Sequence, residues 1–257
     1  MNKLSWLAVM LMTVFCCHSS LFAQESYRTF LEKGDEYYQK FDNVKALEEY
    51  EKAYELAPEE FEVIQRVTQT YNDIGEDLDS KESKPYYENA VQYAELLLEK
   101  FPDNAETYYL LSMAYGNLAL FKGGKEKVKL SRKVKENADK AIALNPNHAS
   151  AYIVLGIYYR EVANLNWFLK NFAKAFFGGL PDGSNEDSEE ALLKSIELEA
   201  TNIITYYELA RTYEKMKEKG KAIELYEKVL ELPEHDHLNA ATKAKAEKRL
   251  EKLRKKS

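Results

Sequence analysis

D-K-A-I-A-L-N-P-N-H-A-S-A-Y-I-V-L-G-I-Y-Y, from Asp139 to Tyr159, reads as the end of one helix, a short Asn-Pro-Asn turn and the start of another. Ala141, Leu144 and Pro146 close the first helix; Tyr152, Leu155, Gly156 and Tyr159 open the second. Small residues let two helices approach closely, and a proline cannot continue the helix it follows. The stretch is a junction between two helical hairpins stacked in series.

Outward from this junction the same stations recur. A first unit starts near Tyr27, with Phe30, Gly34 and Tyr37 on one helix and Ala46, Tyr50, Ala53 and Pro58 on and after the next. Ile64, Val67 and Tyr71 precede Ala90, Ala94, Leu97 and Pro102; Tyr108, Leu111 and Tyr115 precede Ala138, Ala141 and Pro146. The fourth unit opens at Tyr152, and the fifth has Tyr206, Leu209, Ala210 and Tyr213, then Ala222, Tyr226 and Val229. These are tetratricopeptide stations, and about five units exceed the three a solenoid needs. Pro58, Pro102 and Pro146 stand 44 residues apart, as do Tyr71, Tyr115 and Tyr159. That is ten more than a 34-residue unit, so the second and third units are expected to have helices longer by a turn or two. The fold class is all-α: a tetratricopeptide-type helical-hairpin solenoid with elongated repeats and an apolar helical insert, over residues 24–236.

The insert lies in the fourth unit, where Tyr159 and Tyr213 are 54 residues apart. Val162, Leu165, Leu169, Phe172 and Phe176 fall on one helical stripe, widened by Trp167, Phe168 and Phe177. A helix so apolar around its circumference is expected to be buried. The helix that starts at Tyr152 is expected to run on past Tyr159 into this insert as one rod. Gly178-Gly179 and Pro181-Asp182-Gly183 end the insert, and Ser184 to Glu190 reads as a flexible acidic approach to the next helix.

Both ends of the chain differ from the repeats. Lys3, the apolar run Leu4–Cys17 and Leu21-Phe22-Ala23 have the three-part layout of a signal peptide, read over residues 1–23. Export to a periplasmic or extracellular space is the expectation, with an uncleaved membrane anchor as the alternative. Both cysteines lie in this segment, so no disulfide is expected in the solenoid. Residues 237–257 form an expected basic capping helix, with eight Lys/Arg against two Glu in a chain of net charge −7. Its cations suit a helix C-terminus; contact with an acidic or anionic-lipid surface, a peripheral membrane contact, is the other reading. The acidic balance and the lack of a basic stripe interleaved with aromatics argue against nucleic acid as a partner.

No catalytic constellation emerges. His235-Asp236-His237 lacks a third nitrogen or sulfur ligand nearby, so Asp236 is read as a helix cap and no metal is assigned. Gly123-Gly124 and Gly178-Gly179 sit between helices rather than after a strand, and no serine stands in a nucleophile elbow. Neither an enzyme nor a cofactor is expected.

The concave face is the place for binding. The resemblance to tetratricopeptide units implies that positions 5, 9 and 12 of each first helix face the groove. Here they are Leu31, Asp35 and Tyr38; Gln65, Gln69 and Asn72; Tyr109, Met113 and Gly116; Ile153, Ile157 and Arg160; Tyr207, Arg211 and Glu214. The middle of this groove is apolar. In one reading the insert, with Leu165, Trp167, Phe168, Phe172 and Phe176, folds back and covers it. In another, the insert is the lid of a cavity for a lipid or other apolar ligand, with Arg160 and Arg211 at the polar edge. A protein or peptide partner in the groove is the leading expectation.

Beside this reading stands a family resemblance. Gly124-Lys125-Glu126-Lys127, Asp139 to Pro146, Gly156, Glu161-Val162-Ala163 with Leu165 and Trp167, Ala175 to Gly178, and Glu189-Glu190-Ala191-Leu192 resemble the regulator of microtubule dynamics family. The resemblance implies a tetratricopeptide-like interaction protein rather than a catalyst, and association with microtubules or organelle membranes for some members. An exported chain would not meet cytosolic tubulin, so architecture is what the resemblance carries over.

Overall fold

The computed structural model describes residues 27–78, 80–177, 179, 182–234 and 237–255, without the side chains of Ser80, Lys81, Phe168, Phe172, Phe176, Phe177 and His237. The expected signal segment and the proposed Asp236 cap lie outside the described residues. The helices are α1 over 27–39, α2 Asn43–Leu56, α3 Phe61–Asp77, α4 Ser80–Lys100, α5 Ala105–Ala119, α6 Gly124–Leu144, α7 Ala149–Ala163, α8 Trp167–Phe177, α9 Asn185–Leu198, α10 Ile203–Met216, α11 Lys219–Glu231 and α12 His237–Lys255. Five hairpins stack in series: α1 with α2, α3 with α4, α5 with α6, α7 with α9, and α10 with α11. The extra residues of the second and third units lengthen their second helices, α4 and α6, to 21 residues each.

One buried station of small residues sets the packing. Gly34, Gly156 and Ala210 occupy it in units one, four and five, and Thr68 and Ser112 fill it in units two and three. The hydroxyls of Thr68 and Ser112 do not cost burial, because each donates to a carbonyl of its own helix, Ile64 O at 2.7 Å and Tyr109 O at 2.7 Å. Opposite Gly34 stands the ring of Tyr50, and opposite Gly156 the side chain of Leu192, each where a Cβ on the glycine would collide. Between units, tyrosines reach back to the preceding hairpin: Tyr71 OH donates to Glu51 at 2.5 Å, Tyr115 OH to Glu95 at 2.6 Å and Tyr213 OH to Glu189 at 2.6 Å. Burial and the neighbouring carboxylate both push these phenols well above the usual range, so they remain donors at any physiological pH. This repeated bond is one use the chain makes of its 19 tyrosines.

Around the insert the structure departs from the sequence reading. The α7 rod does not continue; it stops at Ala163. The Asn164 side chain donates to Arg160 O at 2.8 Å and to Asn185 Oδ1 at 2.8 Å, capping α7 and tying its end to the start of α9. Asn166 then accepts from Leu169 N at 2.9 Å and begins α8 as a separate helix. Nor is Ser184–Glu190 a flexible approach: Ser184 caps α9 in a reciprocal box with Asp187, which places helix from Asn185 onward.

Helix α8 lies against α6, a second helix, where Arg132 donates to Gly179 O. Its inward face includes Leu169 and the buried Ala173, whereas Trp167, Lys170, Asn171 and Lys174 point to solvent. Trp167, expected in a buried stripe, is 78% exposed. The Trp167→Ala variant should therefore keep its unfolding free energy, measured by urea titration, within about 0.5 kcal/mol of the parent. A loss of about 3 kcal/mol or more, usual for a buried tryptophan, would place the ring in a core instead.

Candidate functional site

The first helices α3, α5, α7 and α10 touch one another in order. α1 joins them through Tyr38 OH, which donates to Asp73 at 2.8 Å, and through Asp35, which accepts from Arg66 Nε at 2.8 Å. Beyond α10 the series continues with α12, which packs on α10 and α11 and then reaches α3. Among the described residues six helices thus line an inner face, and its last helix, α12, touches α3.

Side chains on this face form three zones. Across α1, α3 and α5 it is a polar ladder: Gln69 Nε2 donates to Tyr38 OH at 3.1 Å, and Asn117 Nδ2 donates to Asn72 Oδ1 at 3.2 Å and to Glu76 Oε1 at 3.4 Å. A cleft of about 200 Å³ opens here between Asp35, Tyr38, Gln39, Arg66, Gln69 and Thr70. Glu76 reaches solvent on the inner face but has protein around most of it. That enclosure raises its carboxyl above the ordinary range, against the lowering effects of Asn117 and the more distant Lys245.

Across α7 and α10 the face is an ion-pair cluster. Arg160 is fully buried, with Nη2 2.6 Å from Glu208 Oε2 and 3.3 Å from Glu161 Oε1, while Nη1 donates to Glu208 O at 3.0 Å. Arg211 Nη1 lies 3.0 Å from both Glu208 oxygens, and its guanidinium stands over the Tyr207 ring, 5.9 Å from the centroid. The third zone is the α12 seam. Arg249 donates to Glu214 Oε1 at 2.9 Å and to Tyr207 OH at 3.3 Å, and Tyr226 OH also donates to Glu214.

The residues expected to make one apolar groove are divided between two cores. Tyr109 and Met113 pack with Ile64, Leu97 and Leu110, and the Tyr109 ring meets His148 at 4.9 Å between centroids. Ile153, Ile157 and Tyr207 belong instead to the core of Leu192, Ile203 and Tyr226. Arg160 is not the polar edge of a ligand groove but the buried centre of the α7–α10 contact; Arg211 alone of the two is partly exposed. Of the expected lid, Leu165 is half-buried, Trp167 faces solvent, and the side chains of Phe168, Phe172 and Phe176 lie outside the described residues. Helix α8 sits on α6 rather than over Tyr109 or Tyr207. Sequence reading missed Asn117, Glu76 and the return of α12 to the inner face; the basic charge of the C-terminal segment was the available signal for the last.

Arrangement and stations together define a tetratricopeptide-type solenoid. TTC0263, a thermophilic TPR protein of Thermus thermophilus, has the same architecture, with a TM-score of 0.65 at 21% identity over 86% of this chain and 98% of that one. The family described as Regulator of microtubule dynamics protein 1-3 matches residues 30–254, and the chain belongs to that family. Regulator of microtubule dynamics protein 3 of Mus musculus is 31% identical over 136 residues, 52% of this chain and 29% of that protein. Protein 2 of Homo sapiens is 27% identical over 177 residues, 68% of this chain and 43% of that protein. The chain thus matches less than half the length of either relative.

Proposed function

We propose that this chain is a non-catalytic interaction scaffold that holds a protein or peptide segment along its inner face, and that it works outside the cytosol. The observation behind the first part is the polar ladder: Tyr38, Gln69, Asn72, Glu76 and Asn117 come from three successive first helices and converge on one surface. A surface assembled from several units, on which Gln69, Glu76 and Asn117 reach solvent over the buried Asn72, suits an extended chain more than a compact small molecule. The apolar-ligand reading has less behind it, since the inner cleft at Asp35 and Arg66 is lined by polar side chains.

Introducing bulk and charge on the ladder, as Gln69→Arg with Gly116→Arg, should abolish cross-linking of the partner along the inner face, with the helical circular dichroism unchanged. Retained cross-linking in that folded variant would overturn the inner face as the binding surface. Export rests on the Met1–Ala23 layout. Fractionation tests it: a full-length chain recovered wholly in the cytosol sinks that part and reopens a microtubule-linked role, which the relatives' names describe.

A further inference from the structure

A capping helix in an open solenoid packs on the last hairpin and stops there. Helix α12 does more. It packs on α10 and α11 and also reaches α3, which belongs to the second unit. On the way it lays Arg249 on Glu214 of α10 and Arg254 on Glu227 of α11, and where it meets α3 the charge of Lys245 is felt by Glu76 without an ion-pair contact. The segment from residue 237 on carries eight Lys/Arg against two Glu in an otherwise acidic chain, so the attraction is between segments and not only between pairs.

Attachment of α12 is more polar than that of α10, the first helix it packs against. Its buried stripe is Asn239, Thr242, Ala246 and Leu250, whereas α10 buries Ile203, Tyr207, Leu209, Ala210 and Tyr213. Ala246 and Leu250, with Leu253 packed half-buried beside them, supply less apolar area than the tyrosine- and isoleucine-rich stripe of α10. The charged contacts of Arg249 and Arg254 are solvent-accessible, which limits what each contributes. Such a helix opens at less cost than the core around it. The acid it approaches on α3 is also incompletely served. Among the described residues no cation comes within 4 Å of Glu76, and Lys245 acts on it from farther away.

We propose that the inner surface between α3 and α10 is a docking site for Lys/Arg-rich amphipathic helices, that α12 is its resident occupant, and that a partner helix of the same chemistry enters by displacing it. This rests on the inner face being the binding surface and names the partner chemistry and its control. Glu214 with Tyr207 takes an arginine, Glu76 takes a lysine or arginine one helical turn earlier, and a small-residue stripe faces the α10–α11 hairpin. The tether holds α12 at high local concentration, so a free helix must compete against it. The apparent affinity of a partner is reduced by the fraction of chains in which α12 is closed.

The test uses the full chain and a fluorescein-labelled synthetic peptide with the sequence of residues 237–255. Arg249→Ala, which releases Glu214 and Tyr207 from α12, should bind the peptide at least tenfold more tightly than the parent by fluorescence anisotropy. Adding Glu76→Gln should reverse much of that gain, and a peptide with every Lys and Arg replaced by Gln should not bind. Equal affinity of parent and Arg249→Ala, or equal binding of the uncharged peptide, overturns the proposal. Hydrogen exchange on the unmodified chain tests exchangeability without any variant: α12 amides should exchange at least tenfold faster than those of α10. Protection of α12 equal to that of α10 overturns it. If a partner cross-links to the inner face but the basic peptide does not compete with it, the partner chemistry falls while the inner-face reading stands.

Discussion

Replacing Arg160 with methionine should destabilise the fold by about 3 kcal/mol, the low end of what breaking a buried ion pair costs. The side chain is almost wholly inaccessible and its guanidinium bonds both the carboxylate and the backbone carbonyl of Glu208, joining α7 to α10. Methionine conserves the volume but leaves the Glu208 carboxylate, itself only 9% exposed, short of a partner. Arg211 still holds both Glu208 oxygens, which is why the loss falls at the low end. The Arg160→Met, Glu208→Leu double variant should recover most of the loss, because the cost lies in a buried carboxylate left with one of its two arginines and not in the absence of the pair. Arg211→Met should cost about 1 kcal/mol or less, since that side chain is partly exposed and the surviving Arg160–Glu208 bond stays intact. Urea midpoints with an unchanged m-value measure all three. Equal losses from Arg160→Met and Arg211→Met would restore Arg160 to a ligand-facing role.

Legibility in the sequence followed the range of the interactions. The Asp139–Tyr159 junction, the presence of lengthened helices in units two and three and the tyrosine stations were readable because each is fixed by neighbours within one or two hairpins; which helix of each pair takes the extra residues was not. The insert was misread for a local reason. Val162, Leu165 and Leu169 keep helical phase across a break, and two asparagines that bond carbonyl and amide groups, Asn164 and Asn166, end one helix and start the next. Apolar spacing alone says nothing of such caps. Arg160 was misplaced because a groove-facing position in a single unit becomes an interior one when the next unit supplies a carboxylate, Glu208, 48 residues later. The contact of α12 with α3 was least visible of all, since it depends on curvature accumulated over every unit between them. What the sequence did hold was its chemistry, a basic segment at the end of an acidic chain.

Gly156 offers the sharpest test of the packing that sets this curvature. A Cβ there would stand 2.5 Å from Leu192 Cγ, and Leu192 is fully buried between α7 and α9. In the parent, Gly156→Ala should destabilise by about 1–2 kcal/mol, because overpacking outweighs the roughly 1 kcal/mol that alanine gains over glycine within a helix. Leu192→Ala alone should cost about 3 kcal/mol through lost burial and the cavity it leaves. In the Leu192→Ala background the collision is gone, and the same Gly156→Ala change should become stabilising by about 1 kcal/mol, since the methyl then enters vacated space and the propensity gain remains. The reversal of sign separates contact from conformation: a glycine retained for backbone freedom would resist alanine in both backgrounds, and Gly156 lies inside α7 with an ordinary negative φ. Should Gly156→Ala prove equally harmful with and without Leu192, the close approach of α7 and α9 is not what the glycine serves. The Gly34 and Tyr50 pair, where the built Cβ meets ring atoms at 2.3 and 2.5 Å, should respond in the same way. Agreement at both sites would show that small residues at this station set how tightly each hairpin closes, and so how far the first helices turn toward the point where α12 meets α3.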